Sequence, residues 1–428
     1  MKKSICVVGL GYIGLPTAVM FAMNGHRVHG YDVNERAISM LQNKQLHIEE
    51  EGLQHRLEQA IDSGGLTVSA EPQKADVFIL AVPSPINEDK TANLEYVRKA
   101  SESIVPLVKK GDLVVLESTV PPRTVEDVVI PALEKSGLSI GEDILVSHSP
   151  ERVIPGKVFQ ELVENDRIVG GLNEESSRQT VDLYRSFVKG TIHVTDATTA
   201  EMVKVMENTY RDVNIAFANE LAKMAEQIGV NIWEAIKLAN YHPRVNIHFP
   251  GPGVGGHCIA VDPWFLHELT PDLAKIIHLS RITNDSMPAY TADKVQTILK
   301  AKGIRHPRVT ALGLAFKANI DDMRESPSVH VVQALKAQGM DVVSYDPHIK
   351  DNQLEGQTQD EAEAVTHADA LVVLTDHKAF QQLDPVQLAT LVRTKVIVDA
   401  KNCLEREKWE TAGFEVYTLG DAKQSPQV

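Results

Sequence analysis

Two doubly wound α/β domains joined by a long central helix are predicted for this 428-residue chain, on three observations. Short apolar runs alternate with segments of helical length from residue 4 to about residue 195. An unbroken helical pattern follows over 198–230. The alternation resumes after Lys302-Gly303. Parallel strands covered by helices on both faces read as continuous apolar runs, and ligands bind at their carboxyl ends. The expected boundaries are 1–197 for a cofactor domain, 198–303 for a helical connector and 304–428 for a second α/β domain.

In the first part the expected strands are 5–9, 27–31, 77–82, 113–117 and 144–147. The first runs into Gly9-Leu10-Gly11-Tyr12-Ile13-Gly14, which opens a helix. Glycines there permit a tight turn and let a pyrophosphate approach the helix N-terminus, where N–H groups and the dipole favour negative charge. Asp32 closes the second expected strand, placed to accept hydrogen bonds from an adenosine ribose and to repel a 2′-phosphate. The pattern is Rossmann-like and favours NAD over NADP.

The helix over 198–230 is expected to start with a capping box at Thr198 and Glu201. Met202, Val205, Met206, Val213, Ala216 and Phe217 share one arc, whereas Lys204, Asn208 and Arg211 share the opposite, polar face. In the third part, 308–317, 341–345, 370–375 and 395–399 read as strands, with no second GxGxxG. A short polar tail ends the chain.

Composition bounds the function. About 150 residues per domain gives two or three domains. With 43% hydrophobic and 24% charged residues, disordered and collagen-like classes are excluded. A net charge of -15 argues against a nucleic-acid or anionic-membrane surface. No stretch reaches the ~20 apolar residues that span a bilayer, and glycines interrupt the apolar run after Lys2-Lys3-Ser4 before a signal sequence could form. Cys6, Cys258 and Cys403 are widely spaced, which builds neither a disulfide framework nor a zinc site, so a cytoplasmic location is expected.

One cysteine stands apart. Pro250-Gly251-Pro252-Gly253-Val254-Gly255-Gly256-His257-Cys258 is a glycine-dense loop ending in a thiol, with Asp262 four residues on. A lone cysteine is ordinarily a small core residue. A glycine approach that lets substrate near the sulfur favours a nucleophile here, because a thiolate attacks once its neighbours lower its pKa. Cys6 and Cys403, in or at the end of strands, read as packing. Lys204 and Asn208 alone would be an ordinary solvated helix face. With Arg211, and with Pro150-Glu151-Arg152, His242-Pro243-Arg244 and Phe316-Lys317, they supply local cations for an anionic ligand.

These motifs resemble the nucleotide-sugar 6-dehydrogenases that oxidise UDP-sugars to UDP-uronic acids. The resemblance covers essentially the whole chain. Glu117-Ser118-Thr119-Val120-Pro121, Pro150-Glu151-Arg152, Lys204 with Asn208, Gly255-Gly256-His257-Cys258 with Asp262, Gly313-Leu314-Ala315-Phe316-Lys317 and Arg324-Glu325-Ser326-Pro327 occur in the family's order, ending with Val398-Asp399-Ala400-Lys401. His148-Ser149-Pro150-Glu151-Arg152-Val153-Ile154-Pro155-Gly156, Arg211-Asp212-Val213-Asn214 onward and His242-Pro243-Arg244-Val245-Asn246 resemble the branch acting on N-acetylated hexosamines. Ser84 stands where threonine is common, and Arg123 where glycine is.

The resemblance implies oxidation of C6 of UDP-N-acetyl-D-mannosamine to the uronate with two NAD+ and one water; UDP-N-acetylglucosamine and UDP-glucose are the alternatives. It implies that Cys258 captures the aldehyde as a thiohemiacetal and then carries a thioester that water hydrolyses. Lys204, helped by Asn208, would handle the alcohol proton and the oxyanion. Asp262 would orient water or Lys204, and Glu151 and Thr119 would assist hydrolysis. Cofactor contacts would come from Gly9, Gly11, Tyr12, Ile13, Gly14, Asp32, Arg36, Ser84, Thr119 and Arg324. Arg152, Val153, Lys204, Asn208, Arg211, His242, Arg244, Gly255, Phe316 and Lys317 would line the UDP-sugar. Arg244 would reach in from a second subunit of a homodimer or larger homo-oligomer. No metal is implied. A sensor that binds NAD and UDP-sugar without turnover is the reading from another class, and the joint presence of Lys204, Asn208, Cys258 and Asp262 weighs against it.

Overall fold

The computed structural model describes residues 2–48, 50–154 and 156–422; Pro155 of the hexosamine-like stretch and the polar C-terminal tail lie outside them. The chain forms two compact units, one of Met1–Glu207 with Trp264–Thr270 and one of Asn208–Pro263 with Pro271–Val428.

The first unit contains β1 (Ser4–Val8), β2 (Arg27–Tyr31), β3 (Leu66–Ser69), β4 (Val77–Leu80), β5 (Leu113–Leu116), β6 (Leu145–His148), β7 (Arg167–Gly171) and β8 (Ile192–Asp196). They form one sheet in the order β3-β2-β1-β4-β5-β6-β7-β8. Every pairing is parallel except β6 with β7. The helix Gly14–Met23 packs its Leu15, Val19 and Phe21 into the core beside β1.

All five expected strands exist. Three more have no continuous apolar run: β3 and β8 are only partly buried, and β7 opens on an arginine and closes on two glycines. Such strands gain their stability from the sheet rather than from local pattern.

The second unit holds β9 (Arg308–Leu312), β10 (Asp341–Tyr345), β11 (Ala370–Val373), β12 (Val396–Asp399) and β13 (Glu415–Thr418). All are parallel, in the order β10-β9-β11-β12-β13. The strand expected over 308–317 stops at Leu312, because the chain turns at Gly313.

The central helix runs Ala197–Ile228. Its expected capping box is not formed. Asp196 caps it instead, accepting from the Thr199 N–H at 2.8 Å, while the Glu201 carboxylate is buried and accepts from the backbone N–H groups of Arg123 (2.6 Å) and Val125 (2.8 Å). The two faces also differ from expectation. Val205 and Ala216 are buried, but so are Asn208, Asp212 and Asn219, whereas Met202, Met206 and Phe217 lie open at 41%, 48% and 49% exposure. Hydrogen-bonded partners explain the buried polar side: Arg281 donates to Asp212 at 2.5 Å, and Asn219 donates to Asn284 at 2.9 Å.

Arg123, where the resemblance led to glycine, takes the left-handed conformation a glycine would take, with φ +77°. The Glu201 bond to its N–H and the pairing of its guanidinium with Asp127 (2.9 Å) and Glu126 (2.9 Å) hold it there. Exposed pairs of this kind are worth about 0–1 kcal/mol, while a side chain at positive φ costs about 1–2 kcal/mol. Arg123→Gly is therefore expected to be more stable than Arg123→Ala by about 1 kcal/mol. Urea unfolding of the two variants checks this, and equal midpoints would contradict it.

Candidate active site

The glycine turn after β1 has the geometry of an anion cradle. Gly9 lies at φ +92° with its Cα pressed on the Ala81 carbonyl, and Gly14 sits against the Gly9 carbonyl. Neither place has room for a Cβ. A Cβ on Gly11 would meet nothing within 4 Å, so the turn leaves open space where a pyrophosphate would approach. Asp32, just past β2, accepts from the Leu10 N–H (2.8 Å) and the Asn34 N–H (2.8 Å), fixing the turn and its own carboxylate together. Tyr12 and Arg36 are exposed, and Ile13 and Asp32 are half-buried. These residues fit a dinucleotide. Ser84, past β4, donates to the carbonyl of Thr119, past β5, joining two expected cofactor contacts.

In the second unit, Cys258 is exposed. Its carbonyl accepts the N–H of Asp262 at 2.8 Å and of Val261 at 3.0 Å, so thiol and carboxylate share the turn that starts the helix Asp262–Leu269. Asn208 donates to buried Asp262 at 2.6 Å. Three expected catalytic residues, Asn208, Cys258 and Asp262, are thus tied through one hydrogen bond and one turn. Lys204 is half-buried one helical turn before Asn208.

The glycines before Cys258 also pack closely against another segment. A Cβ on Gly255 would lie 2.4 Å from the Glu325 carbonyl, and one on Gly256, at φ +89°, 2.7 Å from the Phe316 ring. They let the loop lie flat on the segment carrying Phe316 and Arg324. His257 completes that contact with Asp322 at 3.2 Å. Asp322 also takes the Arg324 guanidinium at 2.8 Å. Burial works against its charge, yet His257 and Arg324 hold the carboxyl well below the usual range.

Arg211, His242, Arg244 and Lys317 are exposed, and Val153 and Phe316 are half-buried. Arg152 is already engaged: its guanidinium grips Glu207 at 2.5 and 3.1 Å and the Asp166 carbonyl at 3.1 Å. That grip leaves it less able to serve as a diphosphate clamp than a solvent-facing arginine.

Glu151 belongs to a buried cluster that the sequence did not disclose. Arg167 donates to Glu117 at 2.5 Å, to Glu151 at 3.0 Å and to the Ser149 hydroxyl at 2.9 Å. Tyr184 donates to Glu117 at 3.0 Å, and its ring lies 3.9 Å from the guanidinium carbon. The antiparallel pairing explains the meeting. With Ser147 opposite Gly171 and His148 opposite Gly170, the start of β7 projects past the end of β6, to the edge where Glu151 follows. An arginine opening an apolar strand was the available signal. Nearby, burial pushes His148 down to about 3, with the charges of Lys204 and Arg167 acting the same way.

Residues 3–188 match the NAD-binding domain of the UDP-glucose/GDP-mannose dehydrogenase family, 198–286 its central domain and 310–406 its UDP-binding domain. The chain is 48% identical to a UDP-N-acetyl-D-mannosamine dehydrogenase of Methanococcus maripaludis, over 98% of this chain and 97% of that protein. It is 46% identical to an NDP-N-acetyl-D-galactosaminuronic acid dehydrogenase of Ralstonia solanacearum, over 93% and 96%. Among solved structures, a UDP-D-ManNAc dehydrogenase from Pyrococcus horikoshii superposes with TM-score 0.92 at 40% identity, covering 98% of this chain and all of that one.

Burial, with Glu151 adding to it, pushes Glu117 from 4.5 up to about 7 against the pull of Arg167. A raised acid favours folding in its protonated form. Its contribution is full below pH 4.5 and is lost as the pH climbs through about 7. Between pH 5 and 8 the chain is expected to lose stability relative to its Glu117→Gln variant. Urea midpoints of the pair across that range check it, and a constant gap would contradict it.

Proposed function

The chain belongs to the UDP-glucose/GDP-mannose dehydrogenase family, and on that premise we propose that it oxidises C6 of UDP-N-acetyl-D-mannosamine to the uronate, using two NAD+ and one water. The observation that carries the substrate is the likeness, over 98% of this chain, to the UDP-N-acetyl-D-mannosamine dehydrogenase of Methanococcus maripaludis. The Ralstonia relative favours a second reading, another acetamido epimer. UDP-glucose is the more distant alternative. In this reading 1–197 binds the cofactor, 198–303 connects and 304–428 binds UDP, in keeping with the three matched domains.

NAD+ supplies, when bound, the acceptor for one hydride in each oxidation. The glycine turn and Asp32 orient it, with Arg36, Ser84, Thr119 and Arg324 as further contacts. Lys204 handles the alcohol proton and, helped by Asn208, steadies the oxyanion. Cys258 bonds the aldehyde carbon, so the half-oxidised sugar stays on the enzyme between steps. Asp262 fixes Asn208, which supports a role in orienting that pair. Glu151 and Thr119 act on the water that releases the acid. Arg152, Val153, Arg211, His242, Gly255, Phe316 and Lys317 are assigned to the UDP-sugar, and Arg152 must exchange its hold on Glu207 to reach it.

The functional unit is taken as a homodimer. Tyr210, Phe217 and Met224 recur every seven residues along the central helix and are 58%, 49% and 50% exposed; Ile276, Leu279 and Ile282 on the helix Lys275–Asp285 are likewise open. Exposed apolar side chains repeated along a helix in this way call for a partner. Arg244, exposed in the turn that follows the helix Ile232–Ala239, is assigned to the partner's site. No helix is long and apolar enough to cross a membrane among the described residues, and none of the three cysteines forms a disulfide. The protein is assigned to the cytoplasm.

Two NADH should form per UDP-N-acetylmannosamine consumed, and faster than with UDP-N-acetylglucosamine or UDP-glucose; one NADH per sugar would refute the four-electron reading. Cys258→Ala should bind UDP-sugar with unchanged affinity and make no acid. Near-normal acid output from that variant would remove the nucleophile assignment. Mixing Arg244→Ala with Cys258→Ala subunits should restore part of the activity once they exchange. Confirmed heterodimers without recovery would count against the shared site.

A further inference from the structure

We propose that Arg167 is a positioning residue of the hydrolytic half-reaction: it ties the Glu151 carboxylate to Glu117, so that groups buried at the ends of three strands fix where Glu151 presents its oxygens to water. The inference rests on the assignment of Glu151 to thioester hydrolysis.

Glu151 is held from two sides. One oxygen accepts the N–H of Arg152 at 2.6 Å, and the other accepts from Arg167 at 3.0 Å. The Arg167 fork spans Ser149, Glu151 and Glu117 in one plane, a geometry that a lysine ammonium cannot reproduce. Tyr184 holds the far carboxylate and stacks on the guanidinium.

Two carboxylates therefore share one cation. Glu117, 1% exposed, is buried more deeply than Glu151 at 8%. Burial raises the Glu117 carboxyl, and the Glu151 charge beside it acts the same way against the pull of Arg167. A buried cation shared between two carboxylates in this way can cost more to bury than it returns in stability. Its placement at the edge that carries Glu151 gives it a second use.

In the hydrolytic step a water oxygen bonds C6 and the C6–S bond breaks. The electron pair leaves on the Cys258 sulfur and the water proton passes to Glu151. No oxidant is consumed. An arginine that aims Glu151 affects this step and not the hydride transfers before it.

The test compares wild type, Glu151→Gln, Arg167→Met, Arg167→Lys and the double Glu151→Gln/Arg167→Met variant, each full length with NAD+ and UDP-N-acetylmannosamine. Stopped flow reads the first NADH formed, and intact mass reads the acyl-enzyme. The first hydride transfer should stay within about 3-fold of wild type in all, while kcat of Arg167→Met falls about 100-fold with KM little changed and acyl-enzyme accumulates. Arg167→Lys should recover part of kcat, and the double variant should be no slower than Glu151→Gln. Equal losses in the first hydride transfer and kcat, or multiplied losses in the double variant, would overturn the proposal. Acyl-enzyme in Glu151→Gln but in neither Arg167 variant would overturn it while sparing the Glu151 assignment. A Glu151→Gln enzyme that hydrolyses at the wild-type rate would remove both. Should Arg167→Met fail to fold, Tyr184→Phe, which deletes only the hydroxyl on Glu117, and Arg167→Lys are read by the same criteria.

Discussion

Parallel pairing is the constraint on which the rest depends. In the first unit, strands running the same way deliver their following loops to one edge, so the glycine turn after β1, Asp32 after β2, Ser84 after β4, Thr119 after β5 and Glu151 after β6 are gathered there by topology alone. The one antiparallel pairing, β6 with β7, adds to that edge the beginning of a strand instead of its end, and the residue there is Arg167.

The two sheets solve the first turn in the same way. Gly9 donates to the Tyr31 carbonyl and Leu10 to Asp32; Gly313 donates to the Tyr345 carbonyl and Leu314 to Asp346. The acids then diverge. Asp32 remains half-buried beside open space at Gly11. Asp346 is buried, and the same oxygen that accepts from Leu314 also accepts from Ala315 and meets the His377 ring at 3.0 Å. An acid so occupied organises the protein rather than a ribose. The second sheet therefore has the dinucleotide-type turn without the exposed acid, in keeping with the absence of GxGxxG from its sequence and with its match to a UDP-binding domain.

Much of this was legible in the sequence because buried parallel strands announce themselves as apolar runs, and because glycine at Gly9 and Gly14 answers to sterics that no other residue satisfies. What escaped was long-range. β3, β7, β8 and β13 carry no strong local pattern. Glu201 looked like a capping residue because it stands three residues after Thr198, but its partners are 76 and 78 positions away in the chain. The expected packing arc of the central helix was correct in periodicity and wrong in destination, since hydrogen-bonded asparagines and an Asp212–Arg281 pair fill the buried side. The family likeness named Asn208 and Asp262 separately, and the structure joins them by a 2.6 Å hydrogen bond.

The central claim is that one enzyme carries C6 from alcohol to acid without releasing the aldehyde. Turnover of UDP-N-acetylmannosamine bearing two deuterium atoms at C6, in ¹⁸O-water, tests it directly by mass spectrometry of both products. Both deuterium atoms should appear in reduced cofactor, and the uronate should carry one oxygen from water. A single transferred deuterium, or a uronate carrying two solvent oxygens from a released and hydrated aldehyde, would contradict the account.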